Sequence, residues 1–317
     1  VGWVYQESTN PTITTNGNKD ALIIKYDSKG KIEWFKNYGG SGDEELTDIA
    51  QMSDGAYVVL GHTDSTDGEA GGSTESDFLS VINKGGNEIK QTIRIRNTNR
   101  KMLLDYDGQI ILPISVNEKT CAYDYDPDTG KLSLISEYDD YPSGLFYPTD
   151  NLSISGVAHR LITGNFTGDI AIKDTLDNEI SFTAGGASQD SIIINVDGTY
   201  ENTWYKQLST SGNEEIAGVT ELSNGKVLVY GSYTTAMTVD SVSLPTPKGG
   251  YDVFLLELNP DDGTAISGRT FGGTQDDMIT SAVETSDGSL LIGGTFYSAS
   301  IDIDGDGTAD ITKVNNS

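Results

Sequence analysis

Residues Asp302-Ile303-Asp304-Gly305-Asp306-Gly307-Thr308-Ala309-Asp310 place carboxylates at alternate positions, a Gly after the third, and one more Asp three residues beyond that Gly. Calcium takes six to eight oxygen ligands, and this spacing lets a curled loop aim three side chains and a backbone carbonyl at one point. The expected ligands are Asp302, Asp304, Asp306 and Asp310. The ion's role would be structural, ordering an acidic loop that otherwise repels itself. Lys313 stands where an EF-hand places its bidentate Glu, so a site here must recruit water or another loop. The same run also reads as an Asp-Gly-rich turn with no ion.

A second set of carboxylates recurs at the start of expected inner strands: Asp43 and Glu44, Glu214 and Glu215, Asp276 and Asp277. The long insertions, 64–76, 167–189, 234–250 and 297–317, fall at the same end of the repeating unit. This face is expected to bind cations, or a cationic or polyhydroxylated partner. Simple solvation is the competing explanation.

Catalytic signals are thin. His62 and His159 are the only histidines, each in an expected strand, and both read as satisfied structural groups. Gly71-Gly72 and Gly185-Gly186 lack the Lys-Ser/Thr and helix of a phosphate cradle, and no Gly-x-Ser-x-Gly elbow occurs. Asp and Glu are abundant enough for a carboxylate pair suited to glycoside hydrolysis to arise by chance. Cys121 is the single cysteine, so no internal disulfide and no cysteine metal cluster can form. The net charge of -28, from 48 acidic and 20 basic side chains, repels phosphate backbones and argues against a nucleic-acid partner. No apolar run is long enough for a membrane helix.

The elements that must position these groups come from a repeat of about 50 to 70 residues, clearest over 20–63, 190–232 and 252–295. Each copy reads as four strands. The first is mixed (46–53, 216–223, 279–286). A Ser-Asp-Gly or Ser-Asn-Gly turn follows, expected as a two-residue hairpin. The second strand is almost wholly apolar (57–61, 227–231, 290–294), which implies burial on both faces. The third begins at Asp20, Asp77, Asp190 or Asp252, and the fourth carries Trp34 or Trp204, expected to pad contacts between neighbouring sheets. Two eroded copies fill the middle, over 100–126 and 152–166. The N-terminal piece supplies second, third and fourth strands and the C-terminal piece supplies a first and a second. The expected fold is therefore all-β, a β-propeller of five or six blades with four antiparallel strands per blade, its termini meeting to close the ring. Residues 1–317 would form this single domain, and a start inside a repeat reads as a segment excised or processed from a longer chain.

Trp34-Phe35-Lys36-Asn37-Tyr38-Gly39-Gly40-Ser41-Gly42-Asp43-Glu44, followed by Ser53-Asp54-Gly55-Ala56-Tyr57-Val58-Val59-Leu60-Gly61, resembles the propeller repeats of large secreted and surface-anchored bacterial proteins. The resemblance covers most of three copies and implies extracellular display and binding, with no particular chemistry. The acidic loop over 302–310 resembles the short calcium loops of dockerin-like surface proteins. Tyr125-Asp126-Pro127-Asp128-Thr129-Gly130 bears a fainter likeness to pyrroloquinoline-quinone enzyme repeats, through a turn that propellers share generally. The function expected is a non-enzymatic module at the bacterial surface or outside the cell, engaging a glycan or protein through its long-loop face. The alternative is a carbohydrate-active propeller enzyme that uses two carboxylates.

Overall fold

The computed structural model describes residues 2–4, 8–9, 12–13, 15–52, 54–68, 76–86, 89–95, 103–104, 110–113, 120–126, 129, 131–138, 143–154, 159–173, 179–185, 189–197, 202–304 and 308–312. Strands and turns account for the secondary structure, and no helix occurs among the described residues. The chain forms two compact units, Val1–Tyr141 and Pro142–Ser317.

In the first unit, Gly2–Val4, Asp20–Tyr26 and Ile32–Tyr38 make a three-stranded sheet. Two four-stranded sheets follow: Glu44–Gln51, Tyr57–Thr63, Ser76–Ile82 and Ile89–Ile95, then Leu103–Leu104, Ile110–Pro113, Thr120–Asp126 and Lys131–Tyr138. The second unit opens with Ser143–Ser153, His159–Lys173, Gln189–Asp197 and Asn202–Leu208, with Glu179–Phe182 paired to an extension of the second strand. Next come Glu214–Glu221, Val227–Tyr233, Asp252–Leu258 and Ala265–Phe271, and last the pair Asp277–Glu284 and Leu290–Phe296. Every sheet follows chain order with antiparallel neighbours. The strand inventory matches the repeat: an N-terminal piece without a first strand, four full sheets, and a C-terminal piece with two strands.

The tight turns differ from expectation in one respect. Met52 and Ala56 close the loop through Met52 N–H to Ala56 C=O at 2.8 Å, and Gly55 N–H donates to Met52 C=O at 2.9 Å. Three residues therefore span the hairpin, and the third sits in the left-handed region, with φ of 86° at Gly55. Leu222 to Lys226 and Thr285 to Ser289 repeat the arrangement around Gly225 and Gly288. A type I turn followed by a left-handed glycine uses the same Asp-Gly chemistry as a two-residue turn. The preceding Asp or Asn makes the difference by accepting a backbone bond two residues on, as from Ala56 N–H to Asp54 at 2.9 Å and Lys226 N–H to Asn224 at 3.0 Å.

Four first strands share a register shift, at Leu46/Asp48, Pro148/Asp150, Ile216/Gly218 and Ile279/Ser281, and Ser143–Ser153 carries a second at Ser143/Leu145. An extra residue there tightens the strand's twist. The second strands Tyr57–Thr63 and Val227–Tyr233 are deeply buried, with Val58, Val59, Leu60, Val227 and Val229 all at 0% exposure, whereas Leu290–Phe296, expected to be buried on both faces, exposes Leu290, Leu291 and Ile292. In the first unit, Ala21, Ile23, Tyr38, Leu46, Val59 and Phe78 from adjacent sheets share one core. In the second, Leu161, Ile193, Ile216, Val229, Phe254 and Leu256 do the same. The two tryptophans pad these junctions as expected. Trp34 lies against Gly86 in the next sheet, and Trp204 against Gly263.

Candidate functional site

At the long-loop end of each well-described junction, a carboxylate opens the third strand of one sheet and another opens the first strand of the next. Asp20, Asp190 and Asp252 are exposed by 0%, 0% and 4%, and Glu44, Glu214 and Asp277 by 1%, 0% and 1%. Their oxygens hold the connecting loops. Glu44 accepts Gly40 N–H at 2.8 Å and Thr63 Oγ1 at 2.8 Å, and also receives Ser65 Oγ. Asp277 accepts Gly273 N–H at 2.7 Å, Ser298 Oγ at 2.7 Å, and the amides of Tyr297 and Ser298 at 3.1 and 3.2 Å. Glu214 takes both the amide of Thr210, at 2.9 Å, and its hydroxyl, at 2.5 Å.

At two of the three junctions a Gly-Gly pair after the fourth strand makes room for this clasp. A Cβ on Gly39 or Gly272 would collide with the carboxylate of Asp20 or Asp252, and one on Gly40 or Gly273 would meet Ser65 or Ser298. Burial pushes Glu214 above the usual carboxylate range, against the Thr210 donors and aided by the charge of Asp190. Burial likewise raises Asp252, opposed by Lys248 N–H and reinforced by Asp277.

This splits the acidic face expected from the sequence. Glu44, Glu214 and Asp277 are buried and engaged by loop donors, so they are not presented to a ligand. Asp43 and Glu215 are half-buried, and Asp276 is exposed. Glu215 accepts the Tyr251 hydroxyl at 2.9 Å, and Asp276 accepts Tyr251 N–H at 3.1 Å. Burial, followed by the bond to Glu215, pushes the Tyr251 phenol up to about 12.

In the acidic loop, the carboxylates of Asp302, Asp304 and Asp310 lie within 4.8 Å of one another. Asp310 Oδ2 draws the loop together by accepting Ile303 N–H at 2.8 Å and Asp304 N–H at 3.3 Å. Three clustered oxygens of hard, anionic character suit calcium, while Lys248 Nζ stands 3.4 Å from Asp302 and competes with an ion there. Asp306 and Lys313 lie outside the described residues, as do Gly71, Gly72 and Gly186.

Both ring nitrogens of His62 are engaged, Nδ1 with Asp77 at 2.8 Å and Nε2 with Asp64 at 3.0 Å, and His159 Nδ1 meets Asn195 at 3.2 Å. One feature had no warning in the sequence pattern: an open cavity of about 400 Å³ in the first unit, lined by Asn16, Lys36, Asn37, Gly39 and Gly68. Its residues come from the end of the strand Ile32–Tyr38 with the following Gly39 and from two further loops, at Asn16 and Gly68, so no linear motif marks it.

No family model matches the chain, and no curated protein matches it in sequence. Among solved structures, BamB from Moraxella catarrhalis is 13% identical over 93% of this chain and 91% of its own, with a TM-score of 0.42. A protein from Lactobacillus plantarum is 11% identical over 80% of this chain and 67% of its own, at 0.43. A quinohemoprotein alcohol dehydrogenase from Pseudomonas putida is 9% identical over 88% of this chain and 53% of its own, at 0.42. BamB and the dehydrogenase are β-propeller-like proteins. Each full sheet of this chain has its four main strands antiparallel and in chain order, as in a propeller blade. The chain is all-β, and its sheets are blade-like.

Proposed function

We propose that this chain is a non-enzymatic binding or display module of the bacterial cell surface or exterior. In this reading it is built from propeller repeats of the Trp…Tyr-Gly-Gly-Ser-Gly-Asp…Ser-Asp-Gly type and engages a glycan or protein partner through its long-loop ends. The observation that carries it is the use of the strand-end carboxylates. Those raised above the usual range, Glu214 and Asp252, are buried and bonded to loop amides. A glycosidase needs its acid and base facing a space that holds the sugar. The described lining of the cavity in the first unit is amides, a lysine and glycines, with no carboxylate among those described residues. The charge of -28 disfavours nucleic acid. No helix among the described residues is long and apolar enough to cross a membrane.

A glycan array, a surface-protein pull-down and a turnover assay on a broad glycoside panel test this function together. Binding without turnover is expected, and turnover that Glu214→Gln or another carboxylate substitution abolishes would establish the enzyme instead.

The ring of five or six blades, completed where the ends meet, belongs to the same proposal. Its support is the last strand. Leu290, Leu291 and Ile292 are exposed by 40%, 63% and 36%, whereas Val227, Leu228 and Val229 at the matching position of the preceding sheet are at 0%, 2% and 0%. A strand with the composition of a buried second strand calls for a third strand beside it.

A structural calcium ion on Asp302, Asp304 and Asp310, with Asp306 as a fourth ligand, completes the reading. Calcium titrated into chelator-stripped protein should release or absorb heat and raise the melting temperature, and Asp304→Asn with Asp310→Asn should remove both effects. No heat and no stabilisation at about millimolar calcium, the weak end of extracellular sites, would leave the loop as a turn.

A further inference from the structure

We infer that the cavity formed by Asn16, Lys36, Asn37, Gly39 and Gly68 is a binding site for one neutral sugar or polyol unit, recognised through adjacent hydroxyls. This rests on the proposed role as a binding module and names the site and the ligand chemistry.

The cavity of about 400 Å³ lies within the range of small-molecule sites. Two observations show that it is built. Its floor is backbone, because a Cβ on Gly68 would collide with the Gly39 carbonyl and one on Gly39 with Asp20. Its walls are held from behind by that same buried Asp20, which accepts Asn16 N–H at 3.2 Å and Asn37 Nδ2 at 3.3 Å. The Asn37 carboxamide is thereby oriented before any ligand arrives.

The second unit shows why the space is open here. There the residue lying across Gly272 is Asp302, which pairs with it through the backbone, and its carboxylate and Lys248 Nζ stand 3.4 Å apart. In the first unit the residue across Gly39 is Gly68, with φ of 76° and no side chain.

The chemistry of the lining selects the ligand. Lys36 can only donate, the glycine carbonyls can only accept, and carboxamides do both. A matching ligand must donate and accept within a few ångströms, as vicinal hydroxyls do. An anion would meet Lys36 but also the Asp20 carboxylate behind the floor and a net charge of -28. A cation would face Lys36. No aromatic ring stands among the described lining residues, so none of them stacks on the sugar's apolar face. Affinity for a single unit is then modest, with Kd of about 1 mM.

The test is titration, by ligand-observed NMR, of the methyl glycosides of glucose, galactose and mannose, with glucuronate and glucosamine as charged counterparts. The proteins are the wild type, Asn16→Phe, which fills the cavity from an exposed position, and Lys36→Met, which removes the donor. Thermal melts verify that both variants fold, and the wild type is also run on the glycan array. Binding of at least one neutral glycoside is expected, weakened at least about tenfold in both variants. Neutral glycoside binding that both folded variants retain would overturn this site while leaving the module reading intact. So would a preference for either charged sugar, or array binding with no neutral glycoside bound at about 50 mM, far above that Kd. No sugar bound in solution or on the array would overturn the site together with glycan engagement.

Discussion

Glu214 and Asp252 act on stability in the opposite sense to a salt-bridged acid. Burial raises both, so each binds its proton more tightly folded than unfolded. Their contribution is therefore full below the unfolded values of 4.5 and 3.8 and is lost as pH rises through the raised ones. Glu214→Gln keeps one acceptor for Thr210 and removes the ionisation. Unfolding free energies from urea denaturation of this variant between pH 4.5 and 7.5 should fall less with pH than those of the wild type, by about 1.4 kcal/mol for each unit of elevation. Parallel curves would show that Glu214 does not titrate across that window. The pattern of Asp20, Asp190 and Asp252 opening third strands was legible, as was the acid opening each following first strand. Their burial was not. An acidic residue beside Gly-Gly reads as a solvated loop, and only the folded Ser65 and Ser298 loops show that donors surround it.

At the scale of the element, two fourth strands present a tryptophan, Trp34 or Trp204, to the third-to-fourth turn of the next sheet. Trp204 Nε1 donates to Pro260 C=O at 2.9 Å, whereas Trp34 Nε1 is buried without a partner among the described residues. Both rings pack against a turn glycine, and Trp34 also meets Tyr57 edge-on at 5.6 Å. Replacement by Phe removes similar volume at either place but breaks a hydrogen bond only at Trp204. Trp204→Phe should therefore destabilise more than Trp34→Phe by about 1 kcal/mol in chemical denaturation. Equal losses would show that packing alone matters at these junctions. The padding role was readable from tryptophan type and strand position, and the inequality between the two copies was not. Turn length was also beyond the sequence, since Asp-Gly suits two-residue and three-residue hairpins alike.

For the whole molecule, the decisive measurement is the separation of the ends. If the last sheet is completed by the first, spin labels at Val4→Cys and Ile292→Cys, in a Cys121→Ser background, should lie closer than about 20 Å, the radius of gyration expected of a compact chain this long. A longer, sharply defined distance in folded protein would rule out closure. By itself the sequence determined the repeat, the four-strand unit, strand order within each sheet, the turn positions and the all-β class. These depend on local periodicity and on residue types at fixed offsets, which need no knowledge of distant contacts. Tertiary structure decided which carboxylates are buried clasps and which face solvent. It also showed that Asp302, Asp304 and Asp310 converge, and that Asn16, Lys36 and Gly68, far apart in the chain, enclose one cavity. Those outcomes depend on which loops are brought side by side, and sheet packing sets that.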